Sequence, residues 1–202
     1  MERSYLLQRS GSIVERPQYL FMRVAVAIHQ QDLQRVLETY HYLSLGYFIH
    51  ASPTLFHAGT TVGQMSSCFL LPLDASSLKG VYRTITDCAL ISQGAGGIGL
   101  DVNQVPATGY VVITFAVLSH LILPSTVTET EMSSGIHPML RIFDSSVALV
   151  SQGANKRPGA LAAYIEPWHQ DIFKFLDLKK NHGSDYLRAR RLFYALWVPD
   201  LL

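Results

Sequence analysis

From Met65 to Leu73 the chain runs as a short, nearly all-apolar segment with Ser66, Ser67 and Cys68 inside it. That length suits a strand buried on both faces, as in parallel α/β sheets. The period then changes at once. Ser76 or Ser77 can cap a helix in which Leu78, Val81, Ile85, Cys88 and Ser92 fall along one stripe. Gly94 closes it, in the usual place for a left-handed residue after a helix.

The same alternation continues along the chain. Residues 30–45 read as an amphipathic helix, with Leu33, Val36, Leu37, Tyr40 and Leu43 at the helical period. Pro53 is expected to break any helix across His50–Thr54. Pro138 opens another helix, with Leu140, Phe143, Val147 and Val150 on one face and Gly153 at its end. His169 to Lys180 reads as helical, and Leu192 to Val198 as a buried strand. Strands alternating with helices give an α/β class. There is no internal repeat.

Composition limits the partners. Hydrophobic residues make up 49% of the 202 and charged residues only 15%, against roughly 25% charged in an ordinary soluble domain. Mean hydropathy is +0.19. A core is affordable and disorder is excluded, but polar surface is scarce, as in a piece of something larger. Sixteen basic against fifteen acidic residues point to neither nucleic acid nor an anionic membrane. Two cysteines, Cys68 and Cys88, make no disulfide scaffold and no thiolate zinc site. The histidines show no HExxH spacing, so no metal site is expected. No apolar core follows Met1-Glu2-Arg3-Ser4, and a reducing cytoplasmic setting is expected.

One stretch departs from the pattern. Residues 102–128 carry no charged side chain, and Tyr110 to Pro124 is almost continuously apolar. That run is shorter than the roughly 20 residues of a membrane-spanning helix. A buried or misfolded insert is the expectation.

Three constellations bear on chemistry. Gly94-Ala95-Gly96-Gly97-Ile98-Gly99 matches GxGxxG, yet the dinucleotide motif needs a strand before it and a helix after it. Here a helix precedes it and Pro106 follows, so a close-approach turn is the better reading. Cys68 is either a packed thiol or a redox thiol at a strand end; Cys88, on the apolar stripe, is structural. The loop Gln152-Gly153-Ala154-Asn155-Lys156-Arg157-Pro158 is either a solvated connection or a holder of an anionic ligand, with Arg157 as planar donor.

Taken together, longer stretches carry a resemblance. Glu15-Arg16-Pro17-Gln18, His50 to Phe56, Ser66-Ser67-Cys68-Phe69-Leu70, Ala95 to Gly99, Gly153 to Gly159, Glu166-Pro167-Trp168-His169 and Ala195 to Leu201 resemble the large subunit of class I ribonucleotide reductase. The likeness runs in family order across nearly the whole chain, residues 110–131 excepted. It implies a partial ten-stranded α/β barrel, the first half-barrel, at 50–202, preceded by a helical portion at 1–49. It also implies reduction of the ribose 2′-hydroxyl of a ribonucleoside diphosphate, with Cys68 as one of two redox thiols. Ser52, Ser67 and Gly97 would contact substrate, although strand alternation puts Ser67 and Cys68 on opposite faces. Ser76, Ser77, Leu78, Gln93, Gln152 and Arg157 fall at the effector and specificity loops. Ser76 stands where aspartate is usual, and Gln93 and Pro106 stand where a lysine and an arginine would meet effector phosphates. A short effector loop belongs between Gly109 and Gly135, where the apolar stretch lies. The radical cysteine and the second redox thiol are expected beyond residue 202, so the isolated chain should not turn over. The implied partners are nucleoside triphosphate effectors, a metal-containing small subunit that supplies the radical, thioredoxin or glutaredoxin, and a second large subunit. The competing reading is a truncated or mis-spliced, non-catalytic chain that binds nucleotide weakly or associates with full-length subunits.

Overall fold

The structure is a computed structural model that describes residues 5–115, 128–152 and 157–200. In chain order the elements begin with strands β1 (Gln8–Arg9) and β2 (Ser12–Ile13) and helices α1 (Pro17–His29), α2 (Leu33–Leu45) and α3 (Ser52–His57). Strand β3 (Cys68–Pro72), helix α4 (Leu78–Gln93) and strands β4 (Gly97–Asp101), β5 (Val111–Phe115) and β6 (Thr128–Met132) follow. Helix α5 (Ile136–Leu149), the short strands β7 (Ser151–Gln152) and β8 (Arg157–Pro158), strand β9 (Leu161–Ile165), helix α6 (Ile172–Asp177) and strand β10 (Phe193–Leu196) complete it. Two compact units emerge: Met1–Phe69, Cys88–Ile98 and Val150–Gly159 form one, and Leu70–Asp87, Gly99–Leu149 and Ala160–Leu202 the other.

In the first unit α1 packs on α2, and Leu6, Leu20, Val24, Leu55 and Ala58 form a buried cluster. Proline opens α1. Asp32 caps α2 by accepting from the Arg35 N–H at 3.2 Å, and Gly46 ends it in the left-handed conformation. Of the anticipated stripe, Val36 and Leu43 are buried, whereas Leu33 and Leu37 are exposed. Pro53 does not break a helix. It sits in the first turn of α3, where its missing N–H would have had no helical partner. Glu15 is buried and is paired with Arg23, whose Nε donates to Oε1 at 2.8 Å. Arg23, itself half-buried, also donates to the carbonyls of Leu55 and Ala58, so the buried Glu15 carboxylate meets a guanidinium held in place on several sides.

The main sheet has strand order β10-β9-β4-β3. β9 and β10 run parallel, Phe193 opposite Ala162 through Leu196 opposite Ile165. β3 and β4 are parallel too, since Gly97 N–H donates to Ser67 O and Leu73 N–H to Asp101 O. The fold is α/β, as expected. One face is closed: Leu100, Leu161, Ala163 and Ile165 are buried. β3 is not buried on both faces, however. It is an edge strand whose Cys68, Leu70 and Pro72 are exposed and whose Phe69 and Leu71 are half-covered. β10 departs likewise: Phe193 and Leu196 within it, and Trp197 and Val198 just past it, are exposed. An edge position supplies a neighbour on one side only, so apolar composition did not translate into burial.

β5 and β6 pair antiparallel, Val111 opposite Met132 through Phe115 opposite Thr128, and residues 116–127 lie outside the described residues. Among the described residues no helix is long and apolar enough to cross a membrane. α5 buries Ile136, Leu140 and Phe143 and carries Pro138 in its first turn. It stops at Leu149, short of Gly153, which lies outside the described residues. α6 spans Ile172–Asp177 only, less than the His169–Lys180 helix anticipated.

Candidate functional site

Cys68 is reached by building outward from α4. Ser77 is the cap: its Oγ accepts from the Gly80 N–H at 3.1 Å. Ser76 turns the other way and donates its hydroxyl to Asp74 Oδ1 at 2.5 Å, with its N–H at 3.2 Å. Those hydrogen bonds, the side-chain one first, hold the Asp74 carboxyl below its ordinary range. Val81, Cys88 and Ser92 are buried as anticipated, but Leu78 is 74% exposed. Thr84 takes the inner position instead, donating to Gly80 O and accepting from the Asp74 N–H.

The helix ends on a left-handed residue, and that residue is Ala95 (φ +67°), not Gly94. Ala95 N–H donates to Ser92 O and Gly96 N–H to Ile91 O, the paired bonds of a Schellman close. The glycines flanking Ala95 answer packing needs. Gln64 donates to Gly94 O at 2.9 Å, and its side chain fills the space a Cβ on Gly94 would need. A Cβ on Gly96 would stand 2.7 Å from Ile91 and 2.8 Å from Phe69. The run therefore joins a helix to the following strand, the reverse of the dinucleotide order.

Gly97 is different. A Cβ there would meet only Ser67 O, at an ordinary 3.5 Å, so the described residues leave room in front of it. The Gly97 N–H donates to Ser67 O at 2.7 Å, and Ser67 Oγ donates to Cys68 Sγ at 3.6 Å. Ser67, Cys68 and Gly97 are thus brought together. The segment entering β3 is held by Thr54 Oγ1 donating to Met65 O at 3.0 Å and by His57 Nδ1 on Gln64 O at 2.7 Å. Cys68 is exposed and Cys88 buried. An accessible thiol beside a hydroxyl donor can be reached by a reactant, whereas a buried one is inert.

The other anticipated residues are spread out. Ser52, first in α3, shares a 2.9 Å hydrogen bond with the Tyr5 hydroxyl. Among the described residues it makes none to Ser67, Cys68 or Gly97. Gln93 is the exposed last residue of α4. Gln152 and Arg157 face each other in the β7–β8 pair, so the polar loop is a hairpin whose tip, 153–156, lies outside the described residues.

The second unit holds a cavity of about 390 Å³ that the sequence reading missed, lined by Leu70, Asp101, Asn103, Tyr164, Glu166 and Trp197 among others. Asn103 Oδ1 accepts the Glu166 N–H at 2.6 Å, and Asn103 N–H donates to Asp101 Oδ1 at 3.0 Å. Tyr164 meets Trp197 edge to face at 6.4 Å. The available signal was the appearance of polar residues just past the ends of apolar strands, where open α/β sheets place their crevices.

Residues 1–63 match the family model described as "Ribonucleotide reductase, all-alpha domain", and residues 66–202 the one described as "Ribonucleotide reductase, barrel domain". All 202 residues align at 52% identity with the "Ribonucleoside-diphosphate reductase large chain" of Neurospora crassa. Identity is 50% with "large chain 2" of Saccharomyces cerevisiae and 50% with the large subunit of Arabidopsis thaliana. The alignment covers 100% of this chain and 20%, 22% and 23% of those proteins. The chain spans between a fifth and a quarter of the length of these curated relatives.

Proposed function

The chain belongs to the ribonucleotide reductase large-subunit family, and on that premise we propose that it contributes one redox thiol, Cys68, to the reduction of ribonucleoside diphosphates. The observation that carries this reading is the exposed thiol at the start of β3, next to Ser67 and opposite a glycine with open space before it. In this reaction the 2′-hydroxyl leaves as water and a hydrogen takes its place. Two thiols supply the two electrons and two protons and end as a disulfide. Cys88 is buried on α4, so the partner thiol and the radical cysteine come from outside these 202 residues. By itself the 202-residue chain does not turn over.

In the same reading Ser67 and Gly97 line the substrate and Ser52 reaches it from α3. Ser76, Ser77, Leu78, Gln93, Gln152 and Arg157 border the effector and specificity elements, and the β5–β6 hairpin takes the place of the effector loop. The helical portion is 1–49 and the barrel begins at 50. The complete protein works in the cytoplasm with a second large subunit, a radical-generating small subunit, and thioredoxin or glutaredoxin.

The test compares wild type and Cys68→Ser in the assembled reductase. Thioredoxin-dependent deoxynucleotide formation should be lost in the variant. Retained multiple turnover would overturn the assignment, as would deoxynucleotide formation by the 202-residue chain mixed with small subunit and thioredoxin. The exposure of Leu70, Phe193 and Trp197 favours a second reading, a non-catalytic chain that binds nucleotide weakly and associates with full-length subunits. Apolar side chains left in water promote association. A monomeric, soluble, cooperatively folded chain would rule that out.

A further inference from the structure

Within the second unit one stem leads into β5 and another follows β6. Gly109 N–H donates to Ser133 O at 2.9 Å and Ser133 N–H to Tyr110 O at 2.8 Å, extending the β5–β6 ladder downward. Ser133 Oγ donates to Pro106 O at 2.7 Å and accepts from the Gly135 N–H at 3.1 Å. Below this point both stems converge on one side chain. Asp171 Oδ2 accepts the Thr108 N–H at 2.9 Å, the Thr108 hydroxyl at 3.0 Å and the Ile136 N–H at 3.4 Å. Its Oδ1 pairs with Lys174 Nζ at 3.0 Å. The carboxylate is 3% exposed.

The surroundings leave it no slack. Gly135 has φ +79°, and a Cβ there would lie 2.1 Å from Thr108 Oγ1 and 2.4 Å from Asp171 Oδ2. Asp171 N–H donates to His169 Nδ1 at 3.1 Å, while His169 Nε2 lies 2.9 Å from Val105 O. The accepting Nδ1 makes this the Nε2–H tautomer, which donates to that carbonyl.

We infer that Asp171 is the positioning residue of the β5–β6 hairpin, a single buried carboxylate that fastens both stems and sets the hairpin's geometry. The clamp is made by Thr108, before β5, and Ile136, after β6, together with Asp171 and Lys174. The functional consequence rests on the reading of this hairpin as the effector loop. Asp171 then acts on effector response through the stems and touches no nucleotide.

The experiment measures amide hydrogen exchange in the 202-residue chain for wild type, Asp171→Asn and the milder Thr108→Ala. Exchange at Gly109, Ser133 and the β5 amides should rise about tenfold or more in Asp171→Asn, with β9 amides unchanged. Thr108→Ala should produce a smaller rise confined to the same amides. No rise at the hairpin, or an equal rise in β9, overturns the inference. In the assembled reductase, Asp171→Asn should shift the dTTP concentration for half-maximal response about tenfold, a change worth about 1.4 kcal/mol, and leave effector-free turnover intact. Faster hairpin exchange with an unmoved dTTP response would overturn the effector-loop reading and leave the clamp standing.

Discussion

Among the described residues Cys68 hydrogen-bonds to one hydroxyl, that of Ser67 at 3.6 Å, and it is exposed on an edge strand. Asp171 is buried, and its two oxygens take hydrogen bonds from Thr108, Ile136 and Lys174. Each polar group suits its task. A thiol that must meet a reactant gains from accessibility, since burial in apolar surroundings raises its pKa and lowers its reactivity. A carboxylate that fixes chain geometry gains from saturation, since losing it would leave the buried Ile136 N–H without its acceptor. Chemistry and stability should therefore separate cleanly between these two residues.

The largest effect should fall on turnover. Cys68→Ser should cost the assembled reductase about a thousandfold or more in rate, because the oxygen analogue cannot enter the disulfide. Its urea midpoint should correspond to a change within about 0.5 kcal/mol, as for an exposed position. A large loss of stability in that variant would break the contrast. Asp171→Ala should do the reverse and destabilise by about 3 kcal/mol in urea unfolding, since it removes the bonds from Thr108 and Lys174 and strands the buried Ile136 N–H.

Gly135→Ala comes next, with about 2 kcal/mol lost from a forced left-handed conformation and its collisions with Thr108 and Asp171. The same clamp predicts a pH dependence. Burial alone would raise the Asp171 carboxyl, but the hydrogen bonds from Thr108 and Ile136, with the Lys174 pairing, outweigh it and hold the pKa below 3.8. A depressed folded pKa means that the stabilisation is complete above the unfolded value and is lost as pH falls through the folded one. The stability advantage of wild type over Asp171→Asn should accordingly shrink as pH is lowered from 5 toward about 2. The smallest effect is a gain: Ala95→Gly should stabilise by about 0.5–1 kcal/mol by relieving the left-handed alanine. An unchanged midpoint would mean that the added freedom of the unfolded chain offsets the relief.

Local signals in the sequence were read well where neighbours in the chain decide the outcome. The start of α4, capped by a serine of the Ser76-Ser77 pair, needs a hydroxyl three residues before a free N–H, and Ser77 supplies it. The glycine run was legible as a turn between helix and strand because the preceding helical stripe already excluded the dinucleotide order. Pro53 was misread, since the same ring that interrupts a helix interior suits a first turn. Ala95 was missed because the glycine beside it looked the better candidate; the choice was made by Gln64, which lies across Gly94.

Sequence alone determined the class of this protein: apolar segments of strand length, helical stripes, and a thiol inside one of those segments. Those features depend on periodicity and on residues a few positions apart, which the chain carries with it. Tertiary structure alone decided which of those strands lay at an edge, and so that Cys68 was exposed. It alone also decided that Asp171 would meet Thr108 across 63 positions and Ile136 across 35. Neither follows from local pattern, because edge position and long-range hydrogen bonds are set by how the sheet and helices assemble, after each element's own preferences have been spent.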